Sequence, residues 1–205
     1  MNQGDIRKIV TGWAEDGHRD GVRSSGGLAA RVPRSDHQPY PCHSEHLQMS
    51  SNLSLRNAGA ADVDAVTNLI NAAFRVERFF IDGDRITASA VRDRLASGVF
   101  IVAETDDRLI ASVYVELRGN TAYLGLLAVD PSQQRTGVGS RLMAAAEDYA
   151  RGKGCRAVDL QIVNVREELS AFYRRFGYVE TGVAPFPSAV TTKMECHFIT
   201  MAKTL

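Results

Sequence analysis

The chain lacks an excess of charge of either sign. Its 24 lysines and arginines stand against 24 aspartates and glutamates, so no global field draws it to nucleic acid or to an acidic membrane. No apolar stretch reaches bilayer-spanning length, and the first residues show no cationic start followed by an apolar run. Cysteine is scarce. Cys42, Cys155 and Cys196 are odd in number and far apart, which argues against a disulfide framework and fits a reducing compartment, so the expected location is the cytoplasm. Internal repeats and low-complexity blocks are absent too. What is present, 205 residues of which 44% are hydrophobic, suits one domain with a real core.

Residues 1–51 are rich in glycine, serine, proline and charge without periodicity, and read as a flexible N-terminal extension. Within it Cys42, His43 and His46 lie close together, but no fourth fixed ligand is apparent and a solvated tail is preferred to a metal site. Met49 stands just before the first organised segment, where translation is expected to begin in the cell. Residues 52–205 form the expected domain. "LSLRNA" alternates as a short strand does, and Val63, Val66, Leu69, Ile70 and Phe74 then recur at helical spacing. Asp82-Gly83-Asp84 signals a turn, "TASAVRDRLASG" a short helix, and "VFIVAE", "RLIASVYVEL" and "AYLGLLAV" an antiparallel meander with a hairpin turn at "TDD". A long helix over 137–151, the strand "AVDLQIV", the helix "REELSAFYRRF" and strands at "YVETG" and "MECHFITMAK" complete the chain.

The long helix is the informative element. Val138, Leu142, Ala146 and Tyr149 share one face, whereas Arg141, Glu147, Asp148 and Arg151 fall mainly on the other, so the helix is expected to lie on the sheet. Two glycines, Gly137 and Gly139, stand at its start, although glycine costs a helix about 1 kcal/mol against alanine. A helix start directly after a strand presents unbonded N–H groups and the positive end of the dipole, which suits phosphate, and glycine lets the oxygens approach the backbone. Gln134, Arg135 and Ser140 add side-chain donors. The spacing is neither the three-glycine dinucleotide fingerprint nor a P-loop ending in Gly-Lys-Ser/Thr.

With the strand "YLGLLAV", then Pro131, then Gln134-x-x-Gly137-x-Gly139, and downstream a helix carrying Phe172-Tyr173 and ending at Gly177-Tyr178, the chain resembles the GNAT-type N-acetyltransferases from about Leu53 to Leu205. The resemblance implies an α+β fold with a central, mostly antiparallel sheet flanked by helices. It implies that acetyl-CoA is the co-substrate, with no metal. Its pantetheine arm would lie in a gap between the strands "LGLLAV" and "VDLQIV", against the backbone of Leu127, Ala128 and Val129, and its diphosphate would lie on Gln134, Arg135, Thr136, Gly137, Val138, Gly139 and Ser140. Tyr173 is the implied proton donor to the departing thiolate, with an ordinary core tyrosine as the competing reading.

The chain also departs from the family pattern. Many relatives carry an asparagine seven residues before that tyrosine to bind pantetheine. Arg166 stands there instead, and Asn164, two residues earlier, is the substitute. Several relatives carry a glutamate base on the strand "AYLGLL", where Tyr123 is found. The base is left open between Glu116, Glu77 and a water chain.

The family implies direct attack of a primary amine, from a small molecule or a peptide, on the thioester in a ternary complex. Cys155 lies at the far end of the long helix from the phosphate turn, which disfavours covalent catalysis through it. Glu77, Phe79, Phe80 and Glu116 are the expected acceptor-binding residues, their acidic and aromatic character suiting a cationic amine. A homodimer is compatible with the fold. The alternatives are a non-catalytic acyl-CoA-binding or sensing module, and an α+β interaction protein whose functional part is its first fifty residues.

Overall fold

The computed structural model describes residues 53–188 and 190–205. The expected extension over 1–51, the Cys42, His43 and His46 group and Met49 lie outside them. Seven strands form one sheet: β1 (Ser54–Asn57), β2 (Val99–Thr105), β3 (Arg108–Arg118), β4 (Thr121–Val129), β5 (Ala157–Val163), β6 (Val179–Pro185) and β7 (His197–Thr204). Their spatial order is β1-β2-β3-β4-β5-β7-β6. Every neighbouring pair is antiparallel except β4–β5, which is parallel because a helix connects them. Among the described residues, four α-helices cover the sheet: α1 (Val63–Ala73), α2 (Ala88–Ser97), α3 (Val138–Gly152) and α4 (Glu167–Arg175). No helix among the described residues is long and apolar enough to cross a membrane.

Local chemistry accounts for most element boundaries. Asp106 and Asp107, both at positive φ (49° and 59°), make the two-residue turn that matches the twist of a β2–β3 hairpin. Helix α2 is capped by Thr87, whose side chain accepts the Ala90 N–H. It stops at Gly98, where an added Cβ would lie 2.4 Å from the Val115 carbonyl oxygen, so glycine serves a close approach there. Helix α4 has Glu167 and Glu168 in its first turn and Arg174 and Arg175 in its last, each sign at the favourable end of the dipole.

Strand alternation divides the core between the two faces of the sheet. Phe100, Val102, Tyr114 and Tyr123 meet α1 and α2, whose buried positions Val63, Val66, Leu69, Ile70 and Val91 keep the helical spacing read from the sequence. Ile101, Ala103, Val113 and Val115 meet α3 and α4 through Val138, Leu142, Met143, Ala146, Leu169 and Phe172. One strand breaks the alternation. In β4, Tyr123 and Leu126 share a face although they stand three positions apart, a spacing that alternation would put on opposite faces. Leu126 takes a φ of +52°, and the β3–β4 register shifts between Ser112 and Tyr114. This is a β-bulge.

The structure corrects one sequence expectation on α3. Glu147, placed on the solvent face by periodicity, is 8% exposed. Its Oε1 accepts from the Tyr178 hydroxyl at 3.1 Å and its Oε2 from Lys203 Nζ at 2.6 Å, which ties α3 to β7 and to the segment entering β6. Burial and the neighbouring Glu147 carboxylate raise the Tyr178 phenol well above its ordinary range, so it stays a donor. Glu147→Ala leaves a buried hydroxyl and a half-buried ammonium without their acceptor. Urea unfolding is expected to show a loss of about 2–4 kcal/mol, and a loss below about 0.5 kcal/mol would contradict this role.

Candidate active site

The site begins at the bulge. β4 and β5 pair only from Thr121–Ala157 to Leu124–Leu160, so pairing ends one residue before Gly125 and two before Leu126. Beyond that point both strands continue, β4 to Val129 and β5 to Val163, without a ladder between them. A gap therefore opens between two adjacent strands in the middle of a sheet, and the edge of β4 over Leu127, Ala128 and Val129 is not bonded to β5. A side chain closes one of these positions, since Gln134 Nε2 donates to the Val129 carbonyl at 3.3 Å. Gln134 thus holds the turn to the strand rather than projecting as a phosphate donor.

The turn after β4 carries the glycine signal. Asp130 accepts from the Ser132 N–H and opens a single 3-10 turn over Pro131–Gln133. Thr136 donates its hydroxyl to the Gln133 carbonyl at 2.7 Å, and Arg135 and Gly137 both take left-handed conformations, φ 64° and 87°. Gly137 is the N-cap of α3 and has no side chain to cap it. The first intrahelical bond runs from Arg141 N–H to Gly137 O at 3.2 Å. The N–H groups of Val138, Gly139 and Ser140 consequently have no intrahelical acceptor. Left-handed backbone is why residue 137 is glycine. The result is an uncapped dipole end at the mouth of the gap, the arrangement that binds phosphate.

Helix α4 follows on the far side. Tyr173 is 1% exposed, its ring edge-on to Phe172 at 5.0 Å and Tyr178 at 5.9 Å, in the same core as Leu127, Leu160 and Ile162, which flank the gap. Asn164 precedes the helix. Its Oδ1 accepts the His197 N–H at 2.8 Å and its own N–H donates to the His197 carbonyl at 3.0 Å, so much of its bonding capacity ties β5 to β7.

A cavity of about 540 Å³ lies on the other face, between the segment after α1 and the β6–β7 connection. Of the four expected acceptor residues, Glu77 lines it and the other three do not. Phe80 is fully buried in the core, Phe79 turns outward at 47% exposure, and Glu116 accepts from Tyr114 at 3.2 Å and Arg118 at 3.0 Å.

Glu77 is 2% exposed and sits in the 3-10 segment Phe74–Phe79. Its Oε1 lies 3.6 Å from the Arg166 guanidinium, itself 4% exposed and bonded to Glu168. Burial pushes the Glu77 carboxyl up to about 7, against the pull of Arg85 and Arg166. Arg166, standing in place of the expected asparagine, therefore joins the segment after α1 to the turn after β5, a pairing across 89 positions that no local motif signals. Tyr123, opposite Asp159 in register, is raised to about 12 by burial, which leaves it protonated at neutral pH. Among the described residues no cluster of metal-ligating side chains occurs.

Residues 63–178 match the acetyltransferase (GNAT) family model. The chain belongs to this family. Its relatives include a mycothiol acetyltransferase of Clavibacter michiganensis subsp. michiganensis, 28% identical over 141 residues, which are 66% of this chain and 45% of the relative. An uncharacterized protein of Mycobacterium leprae is 29% identical over 175 residues, 78% of this chain and 46% of the relative. The chain thus spans about half the length of these curated relatives. The structure of yncA from Salmonella typhimurium with its cofactor acetyl-CoA superimposes with a TM-score of 0.61 at 18% identity, covering 75% of this chain and 94% of that one. The GNAT fold expected from the sequence is the fold observed, with a mixed seven-stranded sheet flanked by helices.

Gly137→Ala forces a Cβ into left-handed backbone at the turn before α3 while meeting no atom within 4 Å, so its cost is local. Isothermal titration is expected to show acetyl-CoA affinity lowered at least tenfold while unfolding stability falls by only about 1–2 kcal/mol. Unchanged affinity would remove the turn from the binding site.

Proposed function

We propose that the protein transfers the acetyl group of acetyl-CoA to a primary amine of a small molecule or peptide, by direct attack of the amine on the thioester in a ternary complex. The single observation that carries this reading is the gap between β4 and β5 ending at the uncapped start of α3, because it offers a strand edge and a phosphate-binding turn in one line. In this reading the pantetheine amides bond the free edge at Leu127, Ala128 and Val129, as a third strand would. The diphosphate rests on the N–H groups of the turn Gln134 to Ser140, with Arg135 and Ser140 adding side-chain donors and Thr136 shaping the loop. The Asn164 amide nitrogen is the remaining donor toward the pantetheine. The domain responsible is 52–205.

The amine enters from the cavity side. An ammonium cannot attack, so a group must take its proton, and Glu77 is assigned that part. It is buried, it lines the cavity, and its carboxyl titrates near neutrality, where a base is most useful. Glu116 is already engaged by Tyr114 and Arg118 and lies outside the cavity. The attack then places negative charge on the thioester oxygen, which a backbone N–H of the β4 edge can stabilise. Collapse of the tetrahedral species expels the thiolate, and Tyr173 is assigned to protonate it. Its burial in the same core as Leu127 and Leu160, which flank the gap, supports that assignment.

Two variants test these assignments. Because Glu77 is protonated below about 7 and a protonated carboxyl cannot accept a proton, kcat/KM is expected to rise with pH through about 7. Glu77→Gln should lower kcat about 10²–10⁴-fold and remove that limb. A variant that keeps the limb shifts the base elsewhere. Tyr173→Phe should lower kcat by about 10²-fold without changing the dissociation constant of acetyl-CoA. Unchanged kcat would leave Tyr173 a core residue.

A further inference from the structure

The charge around the 540 Å³ cavity does not match a cationic acceptor. Four basic side chains, Arg75, Arg78, Arg85 and Lys193, line it against the carboxylates of Glu77, Asp82 and Asp84. Two of those carboxylates are committed at the rim. Asp82 pairs with Lys193 at 2.8 Å, and Asp84 stands 4.0 Å from Arg78. Lys193 also donates to the Arg78 carbonyl at 2.8 Å, and its N–H donates to the Phe80 carbonyl at 2.8 Å, so these rim pairs bind the two walls together.

What remains toward the interior is one buried carboxyl, Glu77, with Arg85 in the cavity wall; Arg166, outside the lining, is shared between Glu77 and Glu168. Arg75 stands exposed at the mouth. The Arg85 guanidinium lies over the Phe74 ring, 5.2 Å from its centre. With Asp82 and Asp84 paired, the cavity-lining guanidiniums of Arg75 and Arg85 stand against the one carboxyl of Glu77, a balance that favours a ligand bringing negative charge and disfavours a polycation. An arginine fork suits a carboxylate or a phosphate. The volume is that of a small-molecule pocket.

We infer that the acceptor is a small zwitterion, a primary amine carrying a carboxylate or phosphate a few bonds away, with its anion held by Arg85 and Arg75 and its amine directed at Glu77. This rests on the acetyltransferase reading. A cation-rich wall also eases deprotonation of the amine, since a neighbouring positive charge disfavours the ammonium form.

The test uses matched probes that differ only in the anion: β-alanine against β-alaninamide, and O-phosphoethanolamine against ethanolamine. Each is titrated calorimetrically into the full chain saturated with CoA, and acetyl-CoA is titrated separately. At least one anion-bearing probe is expected to bind tenfold or more tightly than its partner lacking the anion, and which pair shows the preference separates carboxylate from phosphate. Arg75→Gln and Arg85→Gln should each shrink that ratio at least fivefold while acetyl-CoA affinity stays within twofold. Arg75 is exposed, so its variant keeps the test valid if the loss of Arg85 disturbs folding. Probes lacking the anion binding as well as those bearing it, or no anion-bearing probe binding, overturns the inference. Failure of acetyl-CoA itself to bind instead removes the acetyltransferase reading on which it stands.

Discussion

A parallel pair of strands that stops pairing halfway along is the constraint on which the rest of the structure depends. Leu126 adopts left-handed backbone, which is costly for a residue with a Cβ, by about 1–2 kcal/mol. The surrounding core makes that conformation tolerable by burying Leu126 completely among the residues facing α1 and α2. In return the strand bends, its last residues leave β5, and a row of backbone groups is freed inside an otherwise continuous sheet. Such groups need a partner, and an extended amide-bearing chain is the natural one. The same strand then delivers the chain directly to a helix start that no side chain caps. Bulge, gap and glycine turn are therefore one device, built over residues 125 to 140.

The second constraint is the buried pair Glu77–Arg166. A carboxyl and a guanidinium that are 2% and 4% exposed carry a desolvation cost that their 3.6 Å contact only partly offsets, which is why the carboxyl titrates near neutrality rather than far below it. Stability alone does not account for such an arrangement, since apolar residues would serve it as well. The pair spans the two halves of the site. It fixes the segment after α1 to the turn preceding α4, the helix that carries Tyr173, so the proposed base and the proposed acid are mechanically linked.

Local pattern carried much of this fold. The faces of α1, the Asp106–Asp107 hairpin, the meander and the glycine at the start of α3 are set by residues within a few positions of one another, and alternation or 3.6-residue spacing exposes them. The family motif extended that reach to the gap. The failures share a cause, which is contact between residues far apart in sequence. Glu147 reads as a solvent-facing helix residue until Lys203 and Tyr178 arrive beneath it. Phe80 reads as a binding aromatic but is drawn into the core, while Phe79 turns outward. Arg166 reads as a departure from a motif, and its partner Glu77 can be found only when the segment after α1 is folded against the end of β5.

Hydrogen–deuterium exchange with and without saturating acetyl-CoA tests the central claim most directly, because it reads the backbone groups on which that claim rests. Slowed exchange confined to the β4 edge at residues 127–129 and to the helix start at 138–140 is the predicted result. Binding that leaves those amides unprotected, or protects a different surface, would contradict the account.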